Sequence, residues 1–198
     1  MFSLTQRFQQ TSNQAITCAS VVSIFIIATF WAQLYHNNVF SLSSQIANVK
    51  PQINLRTSRF YGSVNGKPKE NLRIAFDLDA DLTPLFNWNT KQVFVYLTGS
   101  YNDTKSSSIS SEVTFWDKII TEKADAHVIL KNVKSKYAIW DAKDKISEKD
   151  LDIKLHWNIQ PWVGTLVYGE TTGETLMTTP AYKKNSAKQK APQKDASN

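Results

Sequence analysis

The stretch AITCASVVSIFIIATFWAQLY, residues Ala15 to Tyr35, decides the architecture of this chain. Sixteen of its 21 residues are apolar and none is charged. At a helical rise of about 1.5 Å per residue it reaches about 30 Å, the thickness of a bilayer's hydrocarbon core. Trp31 and Tyr35 lie near its end, where interfacial aromatic residues are enriched. The stretch predicts one transmembrane helix, residues 15–35, that carries a single domain on one side of a membrane.

A cleaved signal peptide is the competing interpretation of this run. Such a peptide has a shorter apolar core, and small residues at a cleavage site follow it closely. Here the best pair of small residues, Ser41 and Ser43, lies well beyond Leu34. The length of the run therefore favours a retained anchor over a cleaved signal.

Two weak signals indicate the orientation of the predicted helix. Arg7 precedes the run, and the next cation after it is Lys50. This bias predicts that the N-terminus, residues 1–14, is cytosolic. The one N-x-S/T sequon is Asn102-Asp103-Thr104, within a polar, serine-rich segment. Together these signals predict an extracytosolic C-terminal domain that is glycosylated at Asn102.

The net charge of +6 is concentrated outside the predicted domain. The last 16 residues contain five lysines and one aspartate, and Arg7 adds one further positive charge. Residues 8–182 therefore carry only +1, and nothing in their charge points to a nucleic-acid partner. The Lys-rich tail, residues 183–198, has almost no apolar side chains and is predicted to be disordered. Cys18 is the only cysteine, so no intramolecular disulfide can form.

Alternating apolar residues dominate the chain after the anchor. Residues 72–82, LRIAFDLDADL, place apolar side chains at every second position, as do residues 151–159. This period of two is typical of a strand with one solvated face. Many short strands, without a soluble helical period, predict an all-β antiparallel sandwich over residues 36–182. Further strands are predicted at residues 53–64, 93–97, 112–120, 127–130, 137–140 and 162–168, with a helical turn capped by Thr83 that has Pro84 at its first position.

Three aspartates at alternate positions raise the question of a metal site. Asp77, Asp79 and Asp81 resemble the start of a calcium loop. Leu82, however, stands where that loop needs glycine, and Trp88 stands where it needs glutamate. The alternation favours the polar face of a strand instead, so no metal is predicted.

The three histidines, His36, His127 and His156, are the natural candidates for acid–base chemistry. None falls in a G-x-S-x-G, H-E-x-x-H or P-loop motif. The residues therefore predict no catalytic site and no cofactor. A membrane-tethered hydrolase with a dispersed active site stays open, because distant residues can form such a site. A free-standing membrane-anchored binding or adhesion domain is the other alternative.

Several short motifs together resemble a known family. Their order and spacing are similar to those of the signal peptidase complex subunit 3 family in its fungal form, over most of residues 10–170. Two features depart from the family pattern. The sequon at Asn102 lies away from the strand at residues 151–157, near which animal members carry theirs, and the lysine-rich tail is an extension. The motifs are Phe76-Asp77 with Ala80-Asp81-Leu82, Phe86-x-Trp88-Asn89-x-Lys91-Gln92, Trp116-Asp117-Lys118-Ile119-Ile120, Lys136-Tyr137, and Trp157-Asn158 followed by Pro161 and Gly164.

The resemblance implies a single-pass type II protein of the endoplasmic reticulum membrane with its C-terminal domain in the lumen. It implies a non-catalytic accessory subunit of the complex that removes signal peptides from nascent secretory and membrane proteins. In that family the serine protease chemistry belongs to a separate catalytic subunit. The implied partners are this catalytic subunit and two small membrane subunits, with proximity to the translocon and without a cofactor.

Aromatic residues are the natural candidates for partner contacts, because interface anchors are often aromatic. Each also has an ordinary alternative role in the core. Trp88-Asn89 is the strongest surface candidate, since its context is turn-like and polar. The candidate contact residues are Phe86, Trp88, Phe115, Trp116 and Trp162.

Overall fold

The computed structural model of the chain describes residues 3–56, 68–103, 106–141 and 145–181, and for 102–103 and 106–109 it describes the backbone alone. Within these ranges one long helix, α1 (Leu4–His36), precedes eight strands. Short 3-10 turns lie at Val39–Ser41, Thr83–Leu85 and Lys123–Asp125. The strands are β1 (Ser44–Arg56), β2 (Lys69–Asp81), β3 (Thr90–Asp103), β4 (Ser106–Ile120), β5 (His127–Lys134), β6 (Asp150–Pro161), β7 (Val167–Glu170) and β8 (Thr175–Thr178).

Helix α1 is longer than the apolar run that predicts it. It begins after Ser3, whose hydroxyl accepts a hydrogen bond from the Gln6 N–H at 3.3 Å and so caps the first turn. Inside the apolar run, the hydroxyls of Thr17 and Ser20 donate to the carbonyls four residues earlier, at 2.9 Å. These hydroxyls are therefore satisfied within the helix, as a span through lipid requires. By length and composition the helix fits a single-pass membrane anchor.

Two antiparallel sheets pack face to face behind the helix. The smaller sheet has the strand order β1-β2-β5. The larger sheet has the order β4-β3-β6-β7, and β8 pairs with the first half of β6. Phe76 of β2 meets Trp116 of β4 edge to face across the interior, with ring centroids 6.2 Å apart. The chain is thus a β-rich domain on one helix, as the alternating pattern predicts.

The core follows the period of two along both central strands. In β6 each apolar residue from Leu151 to Ile159 is buried, and the residues between them are partly exposed. Strand β2 also buries every second residue from Leu72 to Ala80, and Asp77, Asp79 and Asp81 face outward; Ala75, between Ile74 and Phe76, is buried as well. Both predicted alternating segments are confirmed, because a single buried face forces this register.

Several boundary predictions need correction. The segment 137–140 makes one isolated bridge, between Ile139 and Leu72, and is not a strand. Residues 162–166 form a loop, and strand β7 begins only at Val167. Thr83 does not cap the turn at 83–85: its own N–H donates to Asp81 Oδ1 at 3.0 Å, so the aspartate supplies the acceptor. Residues 57–64 of the predicted strand 53–64 lie outside the described residues, and β8 is not predicted at all.

Candidate functional site

The histidines that would serve acid–base chemistry lie apart from one another on separate elements. His36 ends α1 and is exposed. His127 Nε2 lies 2.9 Å from Asp79 Oδ1, and His156 Nε2 lies 3.4 Å from Glu112 Oε1. Among the described side chains, no hydroxyl or thiol lies within hydrogen-bond distance of any of these rings.

The three outward aspartates of β2 contact different residues: Asp77 contacts Asn48 and Asn132, Asp79 contacts His127, and Asp81 contacts Thr83. Asp77 Oδ2 accepts from Asn48 Nδ2 at 2.5 Å, and Asp77 Oδ1 accepts from the Asn132 N–H at 2.6 Å. Both asparagines have φ near +50°, at irregularities in β1 and β5. One carboxylate thus fixes a bulge on each neighbouring strand. These two hydrogen bonds hold the pKa of Asp77 below its usual range. Their contribution to stability is therefore lost only as the pH falls through that lowered pKa.

The five aromatic candidates separate into core and surface residues. Phe115 is fully buried, and Trp116 is 5% exposed against Phe76, so neither offers a surface to a partner. Phe86 is partly buried against the core. Trp88 and Trp162 are 55% and 68% exposed. The aromatic surface is therefore made by two loops, 86–89 and 162–166, at one end of the sandwich.

Asn89 joins these two loops. Its side chain is buried, and its Nδ2 donates to the Val163 carbonyl at 2.8 Å while its Oδ1 accepts from the Val163 N–H at 3.1 Å. The Asn89 carbonyl also accepts from the Trp162 N–H at 2.8 Å. Trp88 and Trp162 are thus held next to a rigid bridge. The ammonium group of Lys91 lies 5.3 Å from the centroid of the Trp162 ring and adds a cation to this surface.

The last turns of α1 pack against the same end of the sandwich. Phe30 and Leu34 are buried, and Ile27 lies one turn earlier on the same helix face. A Cβ atom on Gly164 would lie 3.3 Å from Ile27 Cγ1, so the backbone of the 162–166 loop lies directly against the helix. Gly164 also has φ of 127°, a conformation that residues with a side chain rarely adopt. We call this end of the domain the helix-proximal end.

A series of aromatic rings continues this junction into the core. Trp31 stacks on Phe40 with centroids 6.4 Å apart, and Phe40 lies 5.9 Å from the buried Trp157. The Trp157 ring in turn covers Gly169 on β7, where an added Cβ would approach the ring to 2.1 Å. The anchor and the domain therefore share one packed interior. The sequence does not reveal this contact face of Phe30 and Leu34, because the apolar run has apolar residues on every side of the helix.

The opposite end of the domain carries the sequon. Asn102 pairs with Ser110 near the tip of the β3–β4 hairpin. It lies one residue before the end of β3, whose first residue, Thr90, is at the helix-proximal end. Thr104 lies outside the described residues. The outer face of the larger sheet also carries a row of stacked rings that no sequence motif marks: the rings of Phe94 and Tyr96, and those of Tyr96 and His156, lie 5.3 Å apart.

The fold and these contacts define a class: a membrane-anchored β-sandwich whose exposed loops offer aromatic contacts. Comparison with known proteins makes the class specific. A family model described as "Signal peptidase subunit" matches residues 1–182, and the chain belongs to that family.

Relatives with the name signal peptidase complex subunit 3 support the family assignment. The protein of Saccharomyces cerevisiae is 59% identical over 179 residues, which cover 90% of this chain and 96% of that protein. The protein of Debaryomyces hansenii is 52% identical over 172 residues, covering 86% and 90%. The human protein is 36% identical over 94 residues, covering 47% and 51%.

Proposed function

We propose that this chain is a non-catalytic accessory subunit of the signal peptidase complex of the endoplasmic reticulum, with its domain in the lumen. Similarity to the Saccharomyces cerevisiae subunit over nearly the full length of both chains carries this proposal. The structure adds support, because His127 and His156 contact the carboxylates of Asp79 and Glu112, and His36 is exposed at the end of the helix. The serine-type cleavage chemistry then belongs to a separate catalytic subunit.

The junction between α1 and the sandwich suggests the physical role. A signal peptide ends at the membrane surface, so the cleaving site must be held at a fixed height above the bilayer. Buried Phe30 and Leu34 pack the helix directly against the domain, and a rigid attachment of this kind fixes such a height. In this proposal the domain supports the catalytic subunit, and two small membrane subunits complete the complex near the translocon.

The proposed contact with the catalytic subunit uses the loop that contains Phe86 and Trp88. Trp88 is half exposed, so its ring is available to a partner, and Phe86 packs partly against the core and holds the loop in place. An exposed aromatic ring on a fixed loop is typical of an interface anchor. Replacing Trp88 by alanine should reduce the amount of catalytic subunit that co-purifies. The matched control is Trp140→Ala, since Trp140 is also exposed but lies on the segment next to Leu72, towards the opposite end. Equal losses for both variants would contradict the assignment.

The assembly and activity experiment tests the whole proposal. Purification in mild detergent should recover the chain together with a catalytic subunit and two small membrane proteins. Depletion of the chain should make uncleaved precursors accumulate, whereas single substitutions of His36, His127 and His156 should leave cleavage close to wild type. A single histidine or serine substitution that abolishes cleavage in an intact complex would instead establish a hydrolase. Full function without any co-purifying chain would establish a free-standing binding domain.

The proposed orientation rests on Arg7, on the distance to Lys50, and on the sequon. If the domain is lumenal, endoglycosidase should increase the gel mobility of the chain, and Asn102→Gln should reproduce that shift. In sealed microsomes an epitope at the C-terminus should resist protease. Digestion of the C-terminus with protection of the N-terminus would reverse the orientation.

A further inference from the structure

The depth of the helix-proximal loops along α1 is the starting observation. Gly164 lies against Ile27, which is nine residues before the last residue of the helix, His36. At about 1.5 Å per residue, the 162–166 loop therefore reaches a level about 14 Å short of the helix end. The domain does not begin where the apolar run ends. It overlaps the run along one face.

This overlap limits how much of the apolar run faces lipid on all sides. From Ala15 to Ile27 there are 13 residues, or about 20 Å of helix, whereas a hydrocarbon core is about 30 Å thick. Beyond Ile27 one face of the helix is covered by the domain, where Phe30 and Leu34 are buried, while Ala28 and Ala32 are exposed. A bilayer that covers the whole apolar run must therefore also surround the loop that packs beside it.

The loop has the chemistry of a membrane interface. Its sequence from Pro161 to Leu166 is PWVGTL, without a charged residue. Trp162 is more than two-thirds exposed and Leu166 about half exposed. The nearest cation, Lys91, lies over the Trp162 ring at 5.3 Å. Tryptophan at the headgroup level, with a lysine whose amine reaches the polar region, is typical of segments at the bilayer boundary.

We propose that the 162–166 loop is immersed in the interfacial region of the bilayer, on the side of the β domain, as a second membrane contact beside α1. The occupant of this surface is phospholipid, at the boundary between headgroups and acyl chains. A single membrane helix fixes the height of its domain above the bilayer. It leaves the tilt of the helix and the domain relative to the bilayer free. Two contacts, joined through Asn89 and Gly164, fix the tilt of the sandwich as well. The inference depends on the membrane span of α1 and is independent of the proposed function.

The test uses the full-length chain, together with whatever subunits co-purify with it, in phospholipid nanodiscs. In a Cys18→Ala background, Trp162→Cys is labelled with the fluorophore NBD and exposed to phosphatidylcholine that carries a nitroxide near the headgroup end of its acyl chain. The control is Leu176→Cys, because Leu176 is an apolar residue 79% exposed on β8, at the other end of β6. The Trp162 label should emit at shorter wavelength and be quenched several-fold more than the Leu176 label. Leu166→Cys provides a second site if the Trp162 variant does not assemble.

Each remaining outcome contradicts the proposal. Equal lipid quenching at positions 162 and 176, with strong quenching of both by aqueous iodide, would place the loop in water. Protection of the position 162 label from both lipid nitroxide and iodide would show that another subunit covers the loop. Quenching only by a nitroxide at the end of the acyl chain would place the loop deeper than the interface.

Discussion

The two ends of the sandwich are held by different interactions. At the helix-proximal end, apolar contacts of Phe30 and Leu34 and the Asn89 bridge fix the loops against α1. At the opposite end, polar contacts hold the chain in place: Glu70 Oε2 accepts hydrogen bonds from the N–H groups of Ile146 and Ser147, both at 3.0 Å. The difference shows that one end is built as a junction with the membrane anchor, whereas the other is closed on itself and carries the sequon.

The interior that both ends share gives the largest expected effect. Leu155 lies fully buried midway along β6, so Leu155→Asp removes apolar contacts and buries an unpaired carboxyl group. We expect a loss of about 5 kcal/mol or more, which approaches the total stability of an ordinary domain. Thermal unfolding followed by circular dichroism measures it. Asn158→Asp, on the outer face of the same strand, is the control and should melt near wild type; similar melting of both variants would refute the assigned register.

Leu34→Ala tests the apolar junction at the helix-proximal end. Removal of this buried side chain should lower the free energy of unfolding by about 2–5 kcal/mol. Hydrogen exchange should increase most in the loop 162–166, because this loop packs on the same helix face. Val21→Ala is the matched control, since Val21 is an exposed apolar residue of the same helix. If hydrogen exchange rises only at the sequon end, the junction is not held as described.

Asn89→Ala tests the bridge between the two aromatic loops. The substitution leaves both polar groups of Val163 without their buried partner, for a loss of about 1–3 kcal/mol. Exposed Asn54 on β1 serves as control, and Asn54→Ala should change the melting temperature little. An unchanged melting temperature for Asn89→Ala would show that the hydrogen bonds between Asn89 and Val163 do not stabilise the domain.

The sequence predicts the strands well and the junctions poorly, for a physical reason. Burial of one face imposes a period of two, which is visible along β2 and β6 without knowledge of any partner strand. The contact stripe of Ile27, Phe30 and Leu34 has a helical period, but it lies inside a run that is apolar all round. The sequence therefore does not show which face of the helix contacts the domain, because the other faces are equally apolar.

The candidate contact residues show the same limit. Phe115 and Trp88 have similar aromatic character, and only the irregular pairing of β4 near Phe115 turns that ring inward. The turn-like polar neighbours of Trp88 predict a surface residue, and the structure places it in an exposed loop. Asn89 stood beside it in the sequence, but its bond to Val163 joins residues 74 positions apart. No local pattern predicts such a contact.

The smallest effect is expected at the C-terminal tail, which lies outside the described residues from position 182 onward. Thr179 is the last buried residue in the part of the chain that the structure describes: its hydroxyl accepts from the Lys149 N–H at 2.8 Å and donates to the Ile146 carbonyl at 2.7 Å. The end opposite the helix is therefore closed before the Lys-rich tail begins. Deletion of residues 184–198 should leave the melting temperature nearly unchanged, because the tail has almost no apolar surface to bury. Thr179→Val, which keeps the shape and removes both hydrogen bonds, should instead destabilise the domain by about 1–3 kcal/mol. A fall of many degrees on deletion of the tail would show that the lysines dock on the domain, and the end opposite the helix would then not be closed on itself.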